Sequence, residues 1–385
     1  MARKSTRVVA RPGPPKTPRT SPEAGDFGTV IRRSQIVLCC GTGGVGKTTT
    51  AAALALAGAE DGRRCVVVTI DPAKRLADAL GLDSLTNRPT KVSLPDLPGE
   101  VWALMLDTKA TFDDLVRRHA PSPAQAERIL ANGFYKNISG ALGGTQEYMA
   151  TEKLYELVNE PVDDNGLPIP RFDLIVVDTP PTRNALDFVS APTRLTRLLD
   201  NRVFRALMAP ARSGLRVFGA ASQLVLRGIG KVIGGEVLAD AVAFFQSFEG
   251  MEAGFRDRAQ AVLALLKEPS TGWILITTPR QEAVDEAVFF GTELLAHELA
   301  ISGVVANRMY PEFGLGSGQD RTGVNPSPAI ERVQRGASLA AAHREALQPL
   351  RTLVGTAPWA LVPLADHDLH DLGELRNFAR ELMRT

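Results

Sequence analysis

One segment of the chain has the residue types and the spacing of a phosphate-binding loop. It reads GTGGVGKT over residues 41–48, fits the pattern G-x-x-x-x-G-K-[ST], and lies between an apolar run and an alanine-rich stretch. In a strand–loop–helix context, the glycines let backbone N–H groups approach phosphate oxygens, and the start of the helix adds a favourable partial charge. Lys47 then reaches the β- and γ-phosphates, and the Thr48 hydroxyl binds Mg²⁺. The loop predicts binding of a nucleoside triphosphate.

Two acidic residues follow predicted strands at the edge where such a loop lies. Asp71 follows the run Cys65–Ile70, and Asp178 follows Leu174–Val177. Because the carboxyl ends of parallel strands share one edge of a sheet, both carboxylates are expected near the loop. One could hold Mg²⁺ through water, and the other could orient an attacking water. The alternative is that each acid caps a helix, which suits Asp71 because Pro72 follows it.

Strand-like runs alternate with helical stretches and must position these residues. Several runs are continuously apolar and rich in β-branched residues, as expected of strands covered on both faces. The runs are Gln35–Cys40, Cys65–Ile70, Val101–Leu106, Leu174–Val177, Trp273–Thr277, Ile301–Ala306 and Ala360–Pro363. The pattern predicts an α/β fold with a doubly wound, mostly parallel sheet.

The intervals between the strands predict the domain organisation. Residues 111–160 and 184–267 are expected to form a helical subdomain on one edge of the sheet, within a domain that spans residues 34–385. Residues 1–33 are rich in Pro, Lys and Arg and poor in apolar side chains, so they are predicted to be a disordered basic tail. Solvation is the simpler explanation of that tail, and contact with acidic lipid or RNA is the alternative.

The composition is that of an ordinary globular protein, with 23% charged residues, 44% apolar residues and a net charge of +1. The overall charge therefore points to neither nucleic acid nor an anionic membrane surface. The sequence has no evident transmembrane segment or signal peptide, so membrane contact is expected to be peripheral at most. Three cysteines make no disulfide framework and favour a cytoplasmic location.

Three motifs, in order along the chain, resemble those of the ArsA-type ATPases, whose phosphate loop is a deviant Walker A motif. Besides the loop, they are TIDPAKRL at Thr69–Leu76 and VVDTPPTRNALDF at Val176–Phe188. The likeness continues through GVVANR at Gly303–Arg308 and VPLADHDLHDLGELRNF at Val362–Phe378, and it looks most like an actinobacterial branch. The family includes the catalytic subunit of arsenite pumps and the ATPase that guides tail-anchored proteins to membranes.

The resemblance implies a role for each matching residue. Asp71 would polarise the attacking water in switch I, and Asp178, in switch II, would couple Mg²⁺ and the γ-phosphate to helix movement. The implied catalytic residues are Lys47, Asp71 and Asp178, and the implied Mg²⁺ site is Thr48 with Asp178, the latter through water. ATP would be bound by Gly43, Gly44, Val45, Gly46, Lys47, Thr48, Thr49, Asn307, Pro363 and Leu364. Of these, Asn307 would bind the adenine edge, although an Asn after a strand is also a common turn residue.

One position departs from the family pattern. The family loop usually begins K-G-G, with a lysine that reaches the partner's phosphates across a nucleotide-sandwich dimer, and this chain has Thr42 there. Trans-acting cations are worth roughly 10³–10⁵ in rate in related systems. The explanations are slow turnover, local substitution by Lys74 or Arg75, or a heterodimer with a paralogue that supplies the lysine. We favour the paralogue over a homodimer, because the rest of the site is intact.

Other features bear on what the chain binds. The chain lacks the C-x-x-C pair that holds zinc in the eukaryotic relatives, and Cys39, Cys40 and Cys65 lie in predicted strands, so neither zinc nor arsenite binding is expected. The segment 366–371, DHDLHD, has the composition of a metal site but lies where the family closes over adenine.

Two apolar stripes at helical spacing could bind a client. One runs from Leu215 to Ile233, and the other consists of Phe244, Phe248, Met251 and Phe255. Packing on a core is the simpler interpretation, and a groove for a hydrophobic helical client over Leu215–Phe255 is the alternative. The preferred function is a Mg²⁺-dependent ATPase switch for such a client or partner. A regulatory subunit with little catalysis and a partition or positioning ATPase are the alternatives, the last disfavoured by the near-neutral charge.

Overall fold

The structure, a computed structural model, describes most of the chain from residue 26 onward. The described residues are 26–71, 73–133, 135, 145–159, 162–164, 167–169, 172–181, 185–200, 235–248, 250–311, 328–365 and 371–383.

The strands within these ranges form one large sheet and one small hairpin. They are β1 (Ile36–Cys40), β2 (Arg64–Thr69), β3 (Thr90–Lys91), β4 (Glu100–Met105), β5 (Val162–Asp164), β6 (Leu167–Ile169), β7 (Leu174–Asp178), β8 (Thr271–Thr277), β9 (Ile301–Met309) and β10 (Trp359–Pro363). The large sheet has the order β10-β9-β8-β1-β7-β2-β4-β3, and β5 pairs with β6. All its neighbours are parallel except β3, which is antiparallel to β4. The α/β fold with a mostly parallel sheet is therefore confirmed.

Helices connect the strands and cover the sheet. They are α1 (Phe27–Arg33), α2 (Lys47–Glu60), α3 (Arg75–Ala79), α4 (Thr108–His119), α5 (Pro123–Ala131), α6 (Thr145–Asn159), α7 (Ala185–Asp200), α8 (Gly235–Gln246), α9 (Glu252–Leu266), α10 (Gln281–Ala296), α11 (Pro328–Ala346), α12 (Gln348–Val354) and α13 (Leu372–Met383). None of the helices in the described ranges combines the length and apolar content that a membrane-spanning helix needs.

Alternation along the strands gives the sheet two hydrophobic cores. On β1, Leu38 and Cys40 belong to one core and Val37 and Cys39 to the other, because successive side chains of a strand point to opposite faces. The first core also receives side chains from α6, α7, α9, α10 and α12, and the second from α1, α2, α3 and α13. Both faces are thus covered by helices, which explains why the strands are continuously apolar.

A third core lies among the helices of the two intervals that the sequence assigns to a helical subdomain. It contains Leu115 and Ile129 from α4 and α5, Met149 from α6, and the stripe Phe244, Phe248, Met251 and Phe255. These four stripe residues are 9% exposed or less, so the simpler interpretation of this stripe, packing on a core, is confirmed, and client binding stays a prediction. The other stripe, Leu215 to Ile233, lies outside the described residues. That the helices act as a separate unit stays a prediction.

The predicted disordered tail extends too far. Its last residues form helix α1, whose N-terminus is capped by Asp26, which accepts the Thr29 N–H through Oδ1 at 2.6 Å. Phe27 is fully buried, and its ring lies where a Cβ on Gly303 would be 2.8 Å away. Two apolar residues in a Pro- and Arg-rich segment are a weak signal, and they are buried against distant parts of the chain, Phe27 at Gly303 of β9 and Ile31 at Gly58 of α2. Residues 1–25 lie outside the described part.

Candidate functional site

The phosphate loop lies at the centre of the sheet edge. It follows β1, which pairs with β7 on one side and β8 on the other, and it ends at the first residue of α2. Gly46 has φ 94° and Gly44 has φ 78°, backbone conformations that L side chains rarely adopt. A Cβ on Gly41 would lie 2.1 Å from the Ile276 carbonyl oxygen, so the close approach of loop and β8 requires glycine there.

Lys47 lies inside the curve of the loop. Its Nζ donates to the Thr42 carbonyl oxygen at 2.8 Å, and the residue is 8% exposed. Burial lowers the pKa of Lys47, and the nearby Asp178 carboxylate opposes that shift. The ammonium is thus held on the concave side of the loop, where a bound phosphate would replace or share its carbonyl partner.

Asp178, the last residue of β7, links the end of the phosphate loop to the neighbouring strand β2. Its Oδ2 accepts the Thr48 hydroxyl at 2.7 Å and the Thr69 hydroxyl at 3.1 Å, and the residue is 1% exposed. Burial raises the pKa of this carboxyl, because the loss of hydration outweighs the lowering by the Thr48 hydrogen bond and by Lys47. Two of the predicted site residues, Thr48 and Asp178, are therefore in direct contact, and Thr69 joins them although the sequence did not single it out.

Asp71 lies one strand further, directly after β2. Its Oδ1 accepts the Ala73 N–H at 3.0 Å, and its own N–H donates to the Thr69 hydroxyl at 3.2 Å. Its Oδ2 lies 3.5 Å from the Arg75 guanidinium. Helix α3 begins only at Arg75, so Asp71 makes an Asx turn and is not the helix cap that one interpretation predicts. The Asp71 carboxylate is close enough to Lys47 and Asp178 to raise the pKa of each. Its role in orienting the attacking water stays a prediction.

Asn307 clamps the phosphate loop from β9. Its Nδ2 donates to the Val45 carbonyl oxygen at 3.0 Å, and its Oδ1 accepts the Arg308 N–H at 2.8 Å. A Cβ on Gly46 would be only 2.4 Å from Asn307 Nδ2. Asn307 therefore lies within β9 and is not the turn residue after a strand that one interpretation predicts, and its contact with adenine stays a prediction. Pro363 ends β10, and Leu364 follows it, donates its N–H to the Met309 carbonyl oxygen of β9 at 2.8 Å and is 52% exposed.

An open cavity of about 1260 Å³ extends outward from the loop. It is lined by loop residues and by charged and apolar side chains from other segments, among them Thr42, Gly43, Gly44, Pro181, Arg280, Glu282, Asp285, Glu286, Phe289 and Arg308. Phe289 is 52% exposed there. Cβ atoms on Gly43 and Gly44 would meet nothing within 4 Å, so the loop backbone borders open space that a triphosphate could enter.

The donor set fits a magnesium nucleotide. A threonine hydroxyl and a carboxylate are hard oxygen donors of the kind that Mg²⁺ prefers, and they contact one another at the end of the loop. The chain's three cysteines do not compete with them. All three are free and buried, and burial raises the pKa of Cys40 and Cys65 to about 12, so they remain thiols at neutral pH.

The segment 366–371, whose composition is that of a metal site, lies only partly within the described residues. Residues 366–370 lie outside the described part, whereas Asp371 caps α13 by accepting the Glu374 N–H at 2.8 Å. The sequence missed several residues that border the site, among them Thr69, Arg280 and Arg308. Arg308 ends the motif GVVANR and Arg280 belongs to none of the motifs, and only the order of the strands brings both residues to the loop.

Comparison with known proteins agrees with the geometry. A family model described as anion-transporting ATPase matches residues 34–316. ATPase BagA of Mycobacterium tuberculosis is 32% identical over 164 residues, which cover 42% of this chain and 46% of that protein. ATPase GET3 of Candida glabrata is 27% identical over 167 residues, with 42% and 46% coverage.

A longer alignment joins the chain to ATPase ARSA2 of Chlamydomonas reinhardtii, with 28% identity over 284 residues, 72% of this chain and 68% of that protein. The alignments with the mycobacterial and yeast proteins span less than half of those relatives.

Proposed function

This chain belongs to the family of anion-transporting, ArsA-type ATPases, and we propose that it is a Mg²⁺-dependent ATPase that works as a nucleotide switch. The observation that carries the proposal is the contact of Thr48 with Asp178 at the end of a complete phosphate loop. A hydroxyl and a carboxylate from two separate motifs meet within hydrogen-bond distance, as metal-assisted phosphoryl transfer requires.

The phosphates would be bound by the loop and by Lys47. Gly46 places no side chain at the start of α2, so the first N–H groups of that helix receive no side-chain cap. Such groups and the helix dipole stabilise phosphate charge. Lys47 would exchange the Thr42 carbonyl for phosphate oxygens and, in doing so, would move its charge toward the β- and γ-phosphates.

Thr48 and Asp178 would hold Mg²⁺, Asp178 through water. The chemistry that the bound ion supplies is neutralisation of charge on the β- and γ-phosphate oxygens. Asp71 would orient the attacking water, after its carboxylate leaves the Asx turn or the Arg75 contact. Asp71 and Asp178 follow neighbouring strands, so a shift of one is transmitted to the other through the Thr69 hydroxyl, which contacts both.

The proposal includes a dimer in which a paralogue supplies the lysine that Thr42 replaces. Two observations support it. Thr42 borders the open cavity, so the position faces outward, and the exposed Phe289 lines the same cavity. Arg75 is engaged with Asp71, and Lys74 lines a separate small cavity of about 120 Å³ with Thr69 and Met105, so neither residue faces Thr42 across the main cavity.

We place the protein in a reducing compartment, since its thiols are free.

The switch would act on a hydrophobic client or on the partner subunit. The described stripe at Phe244–Phe255 is core, so the client part of the proposal rests on family membership alone. A regulatory subunit with little catalysis is the second candidate, and Thr42 is the observation that favours it.

Steady-state hydrolysis by the purified chain tests the proposal. Because a missing trans-acting cation is worth roughly 10³ or more, we expect slow turnover by the native chain and a large gain in Thr42→Lys, while the size-matched control Thr42→Val stays slow. Lys47→Ala should abolish hydrolysis in every background. Brisk turnover by the native chain alone, unchanged in Thr42→Lys, would refute the paralogue. Tight ATP binding with negligible turnover in Thr42→Lys as well would favour the regulatory subunit.

A further inference from the structure

The peptide groups around Ile70 connect the candidate site to the helical part of the molecule. Ile70 follows β2 and is 2% exposed. Its N–H donates to the Asp178 carbonyl oxygen at 3.3 Å. Its carbonyl oxygen accepts the side-chain amide of Gln146 at 3.0 Å. A buried carbonyl beyond the end of a sheet ladder needs a donor, and here the donor comes from a residue 76 positions further along the chain.

Gln146 sits on a firmly held element. It lies in the first turn of α6, and the following residues of that helix are buried in two cores, Met149 in the third and Leu154 in the first. One turn later, the buried Glu152 accepts the Arg258 guanidinium of α9 at 2.7 Å. The position of the Gln146 amide is thus set by the packing of the helices and not by the strand that it contacts.

The Ile70 carbonyl belongs to the peptide unit that leads into Asp71. The N–H of the same peptide unit, that of Asp71, donates to the Thr69 hydroxyl, and this hydroxyl donates to the Asp178 carboxylate. The orientation of this single peptide unit therefore fixes the backbone from which the Asp71 side chain extends. Of the described side chains, only that of Gln146 is seen to bind its carbonyl.

We propose that Gln146 is a positioning residue for Asp71. By donating to the Ile70 carbonyl, it holds the Ile70–Asp71 peptide in the orientation that hydrolysis requires, and it makes that orientation depend on the place of α6. Gln146 acts through Asp71 and touches no phosphate. The proposal rests on the proposed ATPase function and deepens it, because it names the contact through which the helices influence the chemical step.

Two substitutions of Gln146 separate its hydrogen bond from its volume. Gln146→Met keeps the length of the side chain and removes the donor. Gln146→Glu keeps the shape and has a donor only when the carboxyl is protonated. The matched control is Gln125→Met, which removes the amide that donates to the Ser247 carbonyl oxygen at 2.8 Å inside the helical core.

Single-turnover hydrolysis by excess enzyme measures the effect even if the native chain turns over slowly. We expect Gln146→Met to lower the maximal rate by roughly tenfold or more and to leave the half-saturating concentration within about twofold, since misplacement by about 1 Å is that damaging and the phosphate loop is untouched. Gln125→Met should keep the native rate. In Gln146→Glu, the rate relative to the native protein should rise as the pH falls from about 7 to about 5, because protonation of a carboxyl whose ordinary pKa is about 4.3 begins to restore the donor.

Equal losses in Gln146→Met and Gln125→Met, weaker ATP binding at an unchanged rate, or a pH-independent ratio in Gln146→Glu would overturn the proposal. Hydrogen exchange of the nucleotide-free protein gives a second readout. Peptides spanning residues 64–79 should exchange faster in Gln146→Met and remain as in the native protein in Gln125→Met; unchanged exchange in Gln146→Met would refute the contact. If the native protein hydrolyses no ATP even with a partner, the proposed function falls, and the exchange result still decides on Gln146.

Discussion

At the residue scale, the candidate site contains two buried ionisable groups, the Lys47 ammonium and the Asp178 carboxyl, and each affects the pKa of the other. Lys47 and Asp178 are 8% and 1% exposed, and burial shifts the pKa of each toward its neutral form. Their mutual attraction opposes both shifts. Adding a triphosphate beside Lys47 and a divalent cation beside Asp178 would stabilise both charged forms. The site is therefore electrostatically completed by its ligand, as a nucleotide switch requires.

The contact between Gly46 and Asn307 gives a prediction for a single methyl group. Gly46→Ala places a side chain at φ 94° and a Cβ 2.4 Å from Asn307 Nδ2. We expect ATP affinity to fall by roughly 100-fold and the free energy of unfolding to fall by about 2–4 kcal/mol, since strain and overpacking add. Titration with ATP and denaturation in urea measure the two effects.

The control for this variant is Gly62→Ala, which has φ 84° and meets nothing within 4 Å, so it reports the conformational strain alone. The double variant Gly46→Ala/Asn307→Ala should recover the part of the stability loss that comes from the clash. If Gly62→Ala is as destabilising as Gly46→Ala, the clamp by Asn307 is not what requires glycine in the loop.

At the element scale, one carboxylate links β2, the strand before Asp71, to β3 and β4. Glu100 on β4 accepts hydrogen bonds from the Lys91 ammonium of β3 at 2.6 Å and from the Arg64 guanidinium of β2 at 2.7 Å. These hydrogen bonds, the Lys91 bond first, lower the pKa of Glu100 from 4.5 to about 2. A depressed carboxyl pKa stabilises the fold above pH 4.5, and the stabilisation is lost as the pH falls from there to about 2.

Glu100→Gln should therefore lower the free energy of unfolding by about 1–2 kcal/mol near neutral pH, after allowance for solvent screening of a side chain that is 29% exposed. The difference between the two proteins in urea denaturation should shrink as the pH is lowered to about 3. Glu331→Gln, which breaks an exposed pair with Arg335 at 3.9 Å, should change stability by less than about 0.5 kcal/mol. A pH-independent difference for Glu100→Gln would mean that packing, not charge, is responsible.

Elements with a continuous local signal could be predicted from the sequence. Every predicted run is a strand whose ends differ by two residues or fewer, except that β9 continues to Met309. The apolar character of both strand faces supplies this signal. Helix α1 and the hairpin of β5 and β6 were missed. The burial of Phe27 depends on a pocket at Gly303, which is distant in sequence.

The residues of the candidate site divide in the same way, into those with a local signal in the sequence and those without one. The loop, Asp71 and Asp178 could be placed because motif and strand end coincide. The partners Thr69 and Gln146 could not, because their contacts depend on β7 lying between β1 and β2, and the sequence does not determine that order. The sequence favoured a core over a client groove for Phe244 and Phe248 but could not decide between them, since an apolar stripe looks alike in both.

At the scale of the whole molecule, α6 is one of the described helices, with α7 and α9, that contribute to both the first and the third core. It contributes Leu154 to a core on the sheet and Met149 to the core among the helices, and its first turn holds the Ile70 carbonyl. Helices α4 and α5, by contrast, contribute only to the third core among the described residues. A disturbance of α6 should thus reach α4 and α5 before it reaches the central strands.

The buried Glu152 of α6 allows this to be tested. It is 2% exposed, and its Oε1 lies 2.7 Å from the Arg258 guanidinium and 3.7 Å from that of Arg118 on α4. Removing the carboxylate takes away the ion-pair partner that Glu152 provides to the largely buried Arg258, so Glu152→Leu should lower the free energy that holds α4 and α5 in place by about 3–5 kcal/mol. The double variant Glu152→Leu/Arg258→Met should be less damaging than the single one, because the charge of Arg258 is also removed.

Hydrogen exchange resolved along the chain distinguishes where the loss occurs. Exchange in α4 and α5 should accelerate by roughly 100-fold in Glu152→Leu, while β1 and β8 keep native protection because the two cores on the sheet are intact. The double variant should return α4 and α5 toward the native rate. If β1 and β8 lose protection as much as α4 and α5 do, the chain opens as a single cooperative unit, and the helices cannot respond to nucleotide independently of the sheet.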